Sequence, residues 1–114
     1  MNATLSTDVT FELYKTHFDY TNDALVLSYV SVPPDGSKEK FLCQVTSDAS
    51  VYFTLRKTGS SESISLKPFS NLDTAWESPL MEPGQQYELN AFCTDNVSKF
   101  VTVHIESVYV HLAG

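Results

Sequence analysis

Val51-Tyr52-Phe53-Thr54-Leu55-Arg56 is the stretch that decides the fold class. Side chains of an extended chain point alternately to its two faces, so Val51, Phe53 and Leu55 share one face and Tyr52, Thr54 and Arg56 the other. The residues are mostly β-branched or aromatic, and the apolar period is two. That combination reads as a half-buried strand.

The same reading extends in both directions. Upstream, Phe41, Cys43 and Val45 share a face, and Ala24 to Val30 forms an earlier strand that stops at Pro33-Pro34-Asp35-Gly36, a strong turn signal. Downstream, Thr58-Gly59-Ser60-Ser61 turns the chain, and Ile64 and Leu66 mark a short strand ended by Pro68. Thr74 to Leu80 is a weaker strand around Trp76. After Glu82-Pro83-Gly84, the residues Tyr87, Leu89, Ala91 and Cys93 again share a face. The last segment is apolar at Val101, Val103 and Ile105, then at Val108, Val110 and Leu112. That change from odd to even positions predicts a β-bulge near Glu106-Ser107.

About seven short strands at regular spacing predict an all-β sandwich, with a small barrel as the alternative. At the N-terminus, Val9, Phe11 and Leu13 alternate as in a strand, whereas Phe11, Tyr14 and Phe18 fit one face of a short helix capped by Asp8. A chain of 114 residues with 42% hydrophobic residues is a single domain spanning 1–114.

The charge balance narrows the choice of partner. A formal net charge of −7 repels a phosphate backbone and an anionic membrane surface. The basic residues form no stripe, so nucleic acid is excluded as a main partner. No apolar run approaches a membrane span, and the first residues lack the basic flank and apolar stretch of a signal peptide.

Catalytic motifs are missing. His17, His104 and His111 stand apart, and no Gly-x-Ser-x-Gly elbow, His-Glu-x-x-His pair or phosphate-cradling loop occurs. The expectation is a non-catalytic protein that needs no cofactor. Acidic loop clusters at Asp19-Asn22-Asp23, at Asp35-Ser37-Glu39 and at Asp95-Asn96 lack the ligand spacing of a known calcium loop, so no metal site is expected.

Cys43 and Cys93 lie 50 positions apart on inward faces of different strands. A disulfide pinning the two sheets is the expected arrangement, with two buried free thiols as the alternative. Trp76 falls in a strand-like window, which favours a core position. Its alternative is a platform for a sugar ring beside Asn71, Asp73 and Glu77. The further candidate binding residues are loop residues: Asp19, Asp23, Asp95 and Asn96.

Leu80-Met81-Glu82-Pro83-Gly84-Gln85-Gln86-Tyr87-Glu88-Leu89-Asn90-Ala91 resembles the fibronectin type III pattern of Leu, Pro-Gly and Tyr-x-Leu/Val-x-Ala. The resemblance implies an immunoglobulin/fibronectin III-like sandwich in which Tyr87 anchors the corner into the second-to-last strand. An immunoglobulin domain sets that Tyr two residues before Cys, whereas Tyr87 stands six before Cys93. Thr10-Phe11-Glu12-Leu13 and Phe18-Asp19-Tyr20-Thr21 are similar to a stretch of the fungal immunomodulatory proteins, which are lectin-like. That resemblance implies dimerisation through the N-terminal residues and binding of cell-surface glycans.

The functional expectation is a binding or adhesion module, extracellular or at the cell surface, that recognises a protein partner. The alternative is a carbohydrate-binding, lectin-like protein. Two sequons, Asn2-Ala3-Thr4 and Asn96-Val97-Ser98, accord with secretion, and the lack of a leader leaves a cytoplasmic location as the other option. Monomer and homodimer are both open.

Overall fold

The structure is a computed structural model that describes residues 3–14, 23–34, 36–59, 70–93 and 98–111. Seven strands run in chain order: β1 (Ala3–Leu13), β2 (Ala24–Val30), β3 (Ser37–Val45), β4 (Tyr52–Lys57), β5 (Trp76–Glu77), β6 (Gln86–Phe92) and β7 (Lys99–His111). The described residues include no helix, so the N-terminal segment is a strand. Ile64 and Leu66 lie outside the described residues.

The strands form two antiparallel sheets, ordered β1-β7-β3-β5 and β2-β6-β4. Consecutive strands among those described lie in opposite sheets. The pairs β1·β7, β2·β6 and β3·β5 trace one long two-stranded ribbon that doubles back at β4. Rolling that ribbon up creates the remaining pairs, β3·β7 and β4·β6. This is the winding of a double-sheet jelly roll. An immunoglobulin sandwich instead pairs its first two strands in one sheet. The chain is therefore a β-sandwich whose strand order differs from the immunoglobulin order.

The core lies between the sheets. Phe41, Cys43 and Val45 of β3, Phe53 and Leu55 of β4, Leu89 and Ala91 of β6, and Val101, Val103 and Ile105 of β7 are all buried. Aromatic contacts join the two layers: Tyr29 meets Phe41 edge-on with centroids 5.3 Å apart, and Phe53 lies 5.4 Å from Trp76. The edge strands seal less completely. Leu5, Val9 and Phe11 of β1, and Val26, Leu27 and Tyr29 of β2, are only partly buried.

β5 is two residues long, so most of the outer edge of β3 needs other partners. Serines supply several. Ser78 Oγ accepts the Phe41 N–H at 2.8 Å, and Ser70 Oγ accepts the Val45 N–H at 3.1 Å while donating to the Cys43 carbonyl at 3.2 Å. The Met81 N–H closes the row by donating to the Glu39 carbonyl at 2.7 Å. Residues 70–81 thus act as an irregular cover for this edge.

At the entry to β6, Tyr87 is buried and its hydroxyl accepts the Glu82 N–H at 2.9 Å. Gly84 supplies the left-handed conformation of the turn, with φ +77°, and its N–H donates to the Ser31 carbonyl.

Two sequence expectations are corrected here. Cys43 and Cys93 are free, buried thiols and form no disulfide. Trp76, the register partner of Cys43, packs on Phe53, the register partner of Ala91. Cys43 is thus level with Ala91. Cys93 lies two residues further along, about 7 Å at the usual strand rise.

The bulge expected at Glu106-Ser107 is absent from the pairing of β7 with β3, whose register is continuous from Ser37↔His111 to Val45↔Val103. The register shift lies in β1, between Ala3 and Leu5, opposite Val108 and Ser107. The change of apolar parity has another cause. Ser107 stays on the inward face because it has a buried polar partner, Glu39.

Candidate functional site

One end of the sandwich carries a polar pocket of about 280 Å³. Asp48, Ala49 and Ser50 line it from the β3–β4 loop, Asn71, Leu72 and Asp73 from the segment before β5, and Lys99 from the start of β7. The two loops are fixed to each other and to the sheet. Val51 and Ser70 exchange backbone hydrogen bonds of 2.8 and 2.7 Å. Asn71 Oδ1 accepts the N–H groups of Asp73 and Thr74, each at 2.8 Å, and the Asn71 N–H donates to the Thr74 carbonyl. The Gln44 side-chain amide donates to the Asn71 carbonyl. On the other loop, Ser47 Oγ accepts the Thr102 N–H at 3.2 Å.

The carboxylates of Asp48 and Asp73 therefore stand on a rigid frame. Both residues are exposed, and neither side chain has a hydrogen bond or ion pair among the described residues. Leu72, which is 55% exposed, adds an apolar surface to the same lining. Acceptor oxygens, a hydroxyl on Ser50 and an apolar contact suit a small hydroxyl-rich ligand.

The sequence-derived candidates fall into three groups. Asn71 and Asp73 share this pocket, together with Asp48 and Ser50, which the sequence did not single out. Asp23 and Trp76 are placed elsewhere. The Asp23 carboxylate accepts from Thr54 Oγ1 at 3.0 Å and pairs with Arg56 Nη2 at 3.2 Å, with its side chain 8% exposed. It thereby ties the start of β2 to β4. Trp76 is fully buried against Phe53 and Cys43, so it offers no face to a sugar. Asp19, Asp95 and Asn96 lie outside the described residues.

Glu39, grouped by sequence with Asp35 and Ser37 as a loop cluster, is a fully buried member of β3. Its carboxyl oxygens accept from Tyr29 Oη at 2.6 Å, Ser31 Oγ at 2.8 Å and Ser107 Oγ at 2.5 Å. The donors come from both sheets, so the group is an internal tie between the layers. Its odd position, in phase with Phe41, Cys43 and Val45, is the signal that could have placed it inside.

His104 lies on the outer face of the first sheet. Its Nδ1 is 2.7 Å from Asp8 Oδ1 and its Nε2 is 3.3 Å from Glu106 Oε1. The hydrogen bond with Asp8, followed by that with Glu106, holds its pKa above the ordinary histidine value. His111 Nδ1 is 3.5 Å from Ser37 Oγ. Neither histidine joins a nucleophile to a carboxylate among the described residues, and no metal-ligand cluster occurs among them. His17 lies outside the described residues.

Compared with known proteins, the chain matches no family model, no curated protein and no solved structure.

Proposed function

We propose that the chain is a non-catalytic binding module whose site is the end pocket, and that the pocket takes a saccharide displayed in the extracellular space or at a cell surface. The observation carrying this reading is the pair of unpartnered carboxylates, Asp48 and Asp73, held on interlocked loops beside exposed Leu72. A sugar presents hydroxyls to acceptor oxygens and a C–H face to an apolar side chain. The volume suits one ring rather than a long chain, since it falls just below the usual range of roughly 300–1,000 Å³ for ligand pockets.

A protein partner was the first expectation from sequence. Its footprint was assigned to the loops Asp19 to Asp23, Pro33 to Lys38, Thr58 to Glu62 and Asp95 to Ser98, of which 19–22, 35, 60–62 and 95–97 lie outside the described residues. The pocket favours the carbohydrate reading over it. The strand order argues for the wider class of jelly-roll binding domains, and the Tyr87 corner is what the chain shares with fibronectin type III domains.

A glycan array followed by calorimetry on each hit tests the proposal. Specific binding is expected, reduced about tenfold or more by Asp48→Ala and by Asp73→Ala, each change being worth at least about 1.4 kcal/mol. Both side chains are exposed and unpaired, so neither substitution disturbs the fold. A blank array with folded protein, or binding indifferent to both substitutions, refutes the assignment.

A further inference from the structure

Among the described strands, four form the sheet edges: β1 and β5 in one sheet, β2 and β4 in the other. An edge presents a row of unpaired N–H and C=O groups, and proteins guard such rows with charges, shortness or a cover. β1 carries Asp8 and Glu12, and β4 carries Arg56 and Lys57. β5 is two residues long and is extended by the serine cover of residues 70–81. β2, Ala24-Leu25-Val26-Leu27-Ser28-Tyr29-Val30, is alone among the described strands in having no charged residue. It has no proline either. Its outward side chains, Leu25, Ser28 and Val30, are exposed. Its register shift lies between Leu25 and Leu27, so Leu27 to Val30 continues in regular antiparallel pairing with Leu89 to Gln86.

We infer that β2 is the interface of a homodimer, in which two copies pair β2 antiparallel to β2 and join their second sheets into one continuous six-stranded sheet. The occupant follows from charge. Each copy carries −7, so two copies repel over most of their surface, and the uncharged edge is where they approach at least cost. A basic partner has no counter-charge to meet on this strand. The contact is self-complementary, as a two-fold interface requires. Side-chain alternation also limits the register: like faces stay together only when the dyad passes through a residue. Ser28 is that residue, because a centre there sets Leu27 opposite Tyr29 of the second copy on the inward side and keeps clear of the bulge. The dimer holds two end pockets, so a surface bearing many ligands is bound with avidity. The pairing itself stands apart from the pocket reading.

A single strand-to-strand contact lies at the small end of interfaces, so the dimer forms at high concentration. Sedimentation equilibrium from about 1 µM to about 1 mM covers that range. The mass is expected to rise from one chain towards two, and the rise shifts to lower concentration in added salt, which screens the repulsion. Ser28→Lys, an exposed change with Trp76 emission as the check on folding, is expected to hold the protein at one chain mass. Ser28→Cys is expected to cross-link across the dyad on mild oxidation, whereas Ser6→Cys on the outward face of β1 is not. One chain mass at every concentration and salt overturns the inference, as does a dimer that survives Ser28→Lys or that Ser28→Cys fails to cross-link.

Discussion

Replacing Glu39 by Ala removes the acceptor at the centre of the internal tie. Hydroxyls of Tyr29, Ser31 and Ser107, at 2.6, 2.8 and 2.5 Å, lose the Glu39 carboxyl group as acceptor. A buried polar group left unsatisfied costs about 1–3 kcal/mol. Tyr29 is partly exposed and recovers water, whereas Ser31 and Ser107 are fully buried. The orphaned Ser31 hydroxyl at about 1.5 kcal/mol, the hydrogen bond that Ser107 loses at about 1.5 kcal/mol, and about 1 kcal/mol for the void give a loss of about 4 kcal/mol. That is a large share of the roughly 5–15 kcal/mol that holds a domain together. Urea unfolding followed by the emission of Trp76, the chain's single tryptophan and fully buried, reads the loss directly. With a slope of about 1.5 kcal/mol per M, the midpoint falls by about 2.5 M. A companion variant separates the tie from simple packing. Glu39→Leu combined with Ser31→Ala, Ser107→Ala and Tyr29→Phe removes the three hydroxyls that Glu39 serves, and it should regain more than half of the loss. A midpoint shift below about 0.5 M for Glu39→Ala, or a combined variant no better than the single one, refutes the reasoning.

Two smaller effects follow from other groups. The raised pKa of His104 means that its stabilising interaction with Asp8 and Glu106 is fully present below the unfolded histidine value and is lost as pH rises through the folded value. Its neighbour across β3 is neutral Gln44, so the two carboxylates set the sign. The site is partly exposed, and the expected contribution is about 0.5 kcal/mol, visible as a pH-dependent difference in midpoint between the native chain and His104→Gln. Burial pushes the Cys43 thiol well above its ordinary pKa, so a disulfide-exchange reagent should leave it unmodified in the folded protein and modify it once urea unfolds the chain. Rapid labelling of Cys43 under native conditions contradicts its placement.

The strands were legible wherever one face is apolar and the other polar. Val51 to Arg56 and Tyr87 to Cys93 show that pattern, and both are strands of the second sheet. Legibility failed where a polar residue belongs inside. Ser107 broke the odd-numbered apolar series of β7 and mimicked a bulge, while its partner Glu39 was read as a surface residue. One non-local hydrogen bond accounts for both errors. Strand order was similarly hidden, because alternation says which face is buried but not which strand lies alongside. The resemblance around Tyr87 predicted a corner that the backbone geometry accommodates, yet the corner does not dictate the sheet order. Asn71 and Asp73 were picked out as partners for Trp76 and instead found Asp48 and Ser50. That grouping depends on the Val51–Ser70 bridge across 19 positions.

The rolled ribbon also has a consequence for synthesis. β7 is the last of the described strands to be made, and it lies between β1 and β3, pairing with both. Until it emerges, the earliest strand has no neighbour in its sheet and β3 lacks one whole side. No N-terminal portion can therefore settle into the native sheet ahead of the rest. Formation of this sheet awaits β7, and a nascent fragment ending before Lys99 exposes the apolar faces of β1 and β3 to whatever binds unfolded segments in the cell.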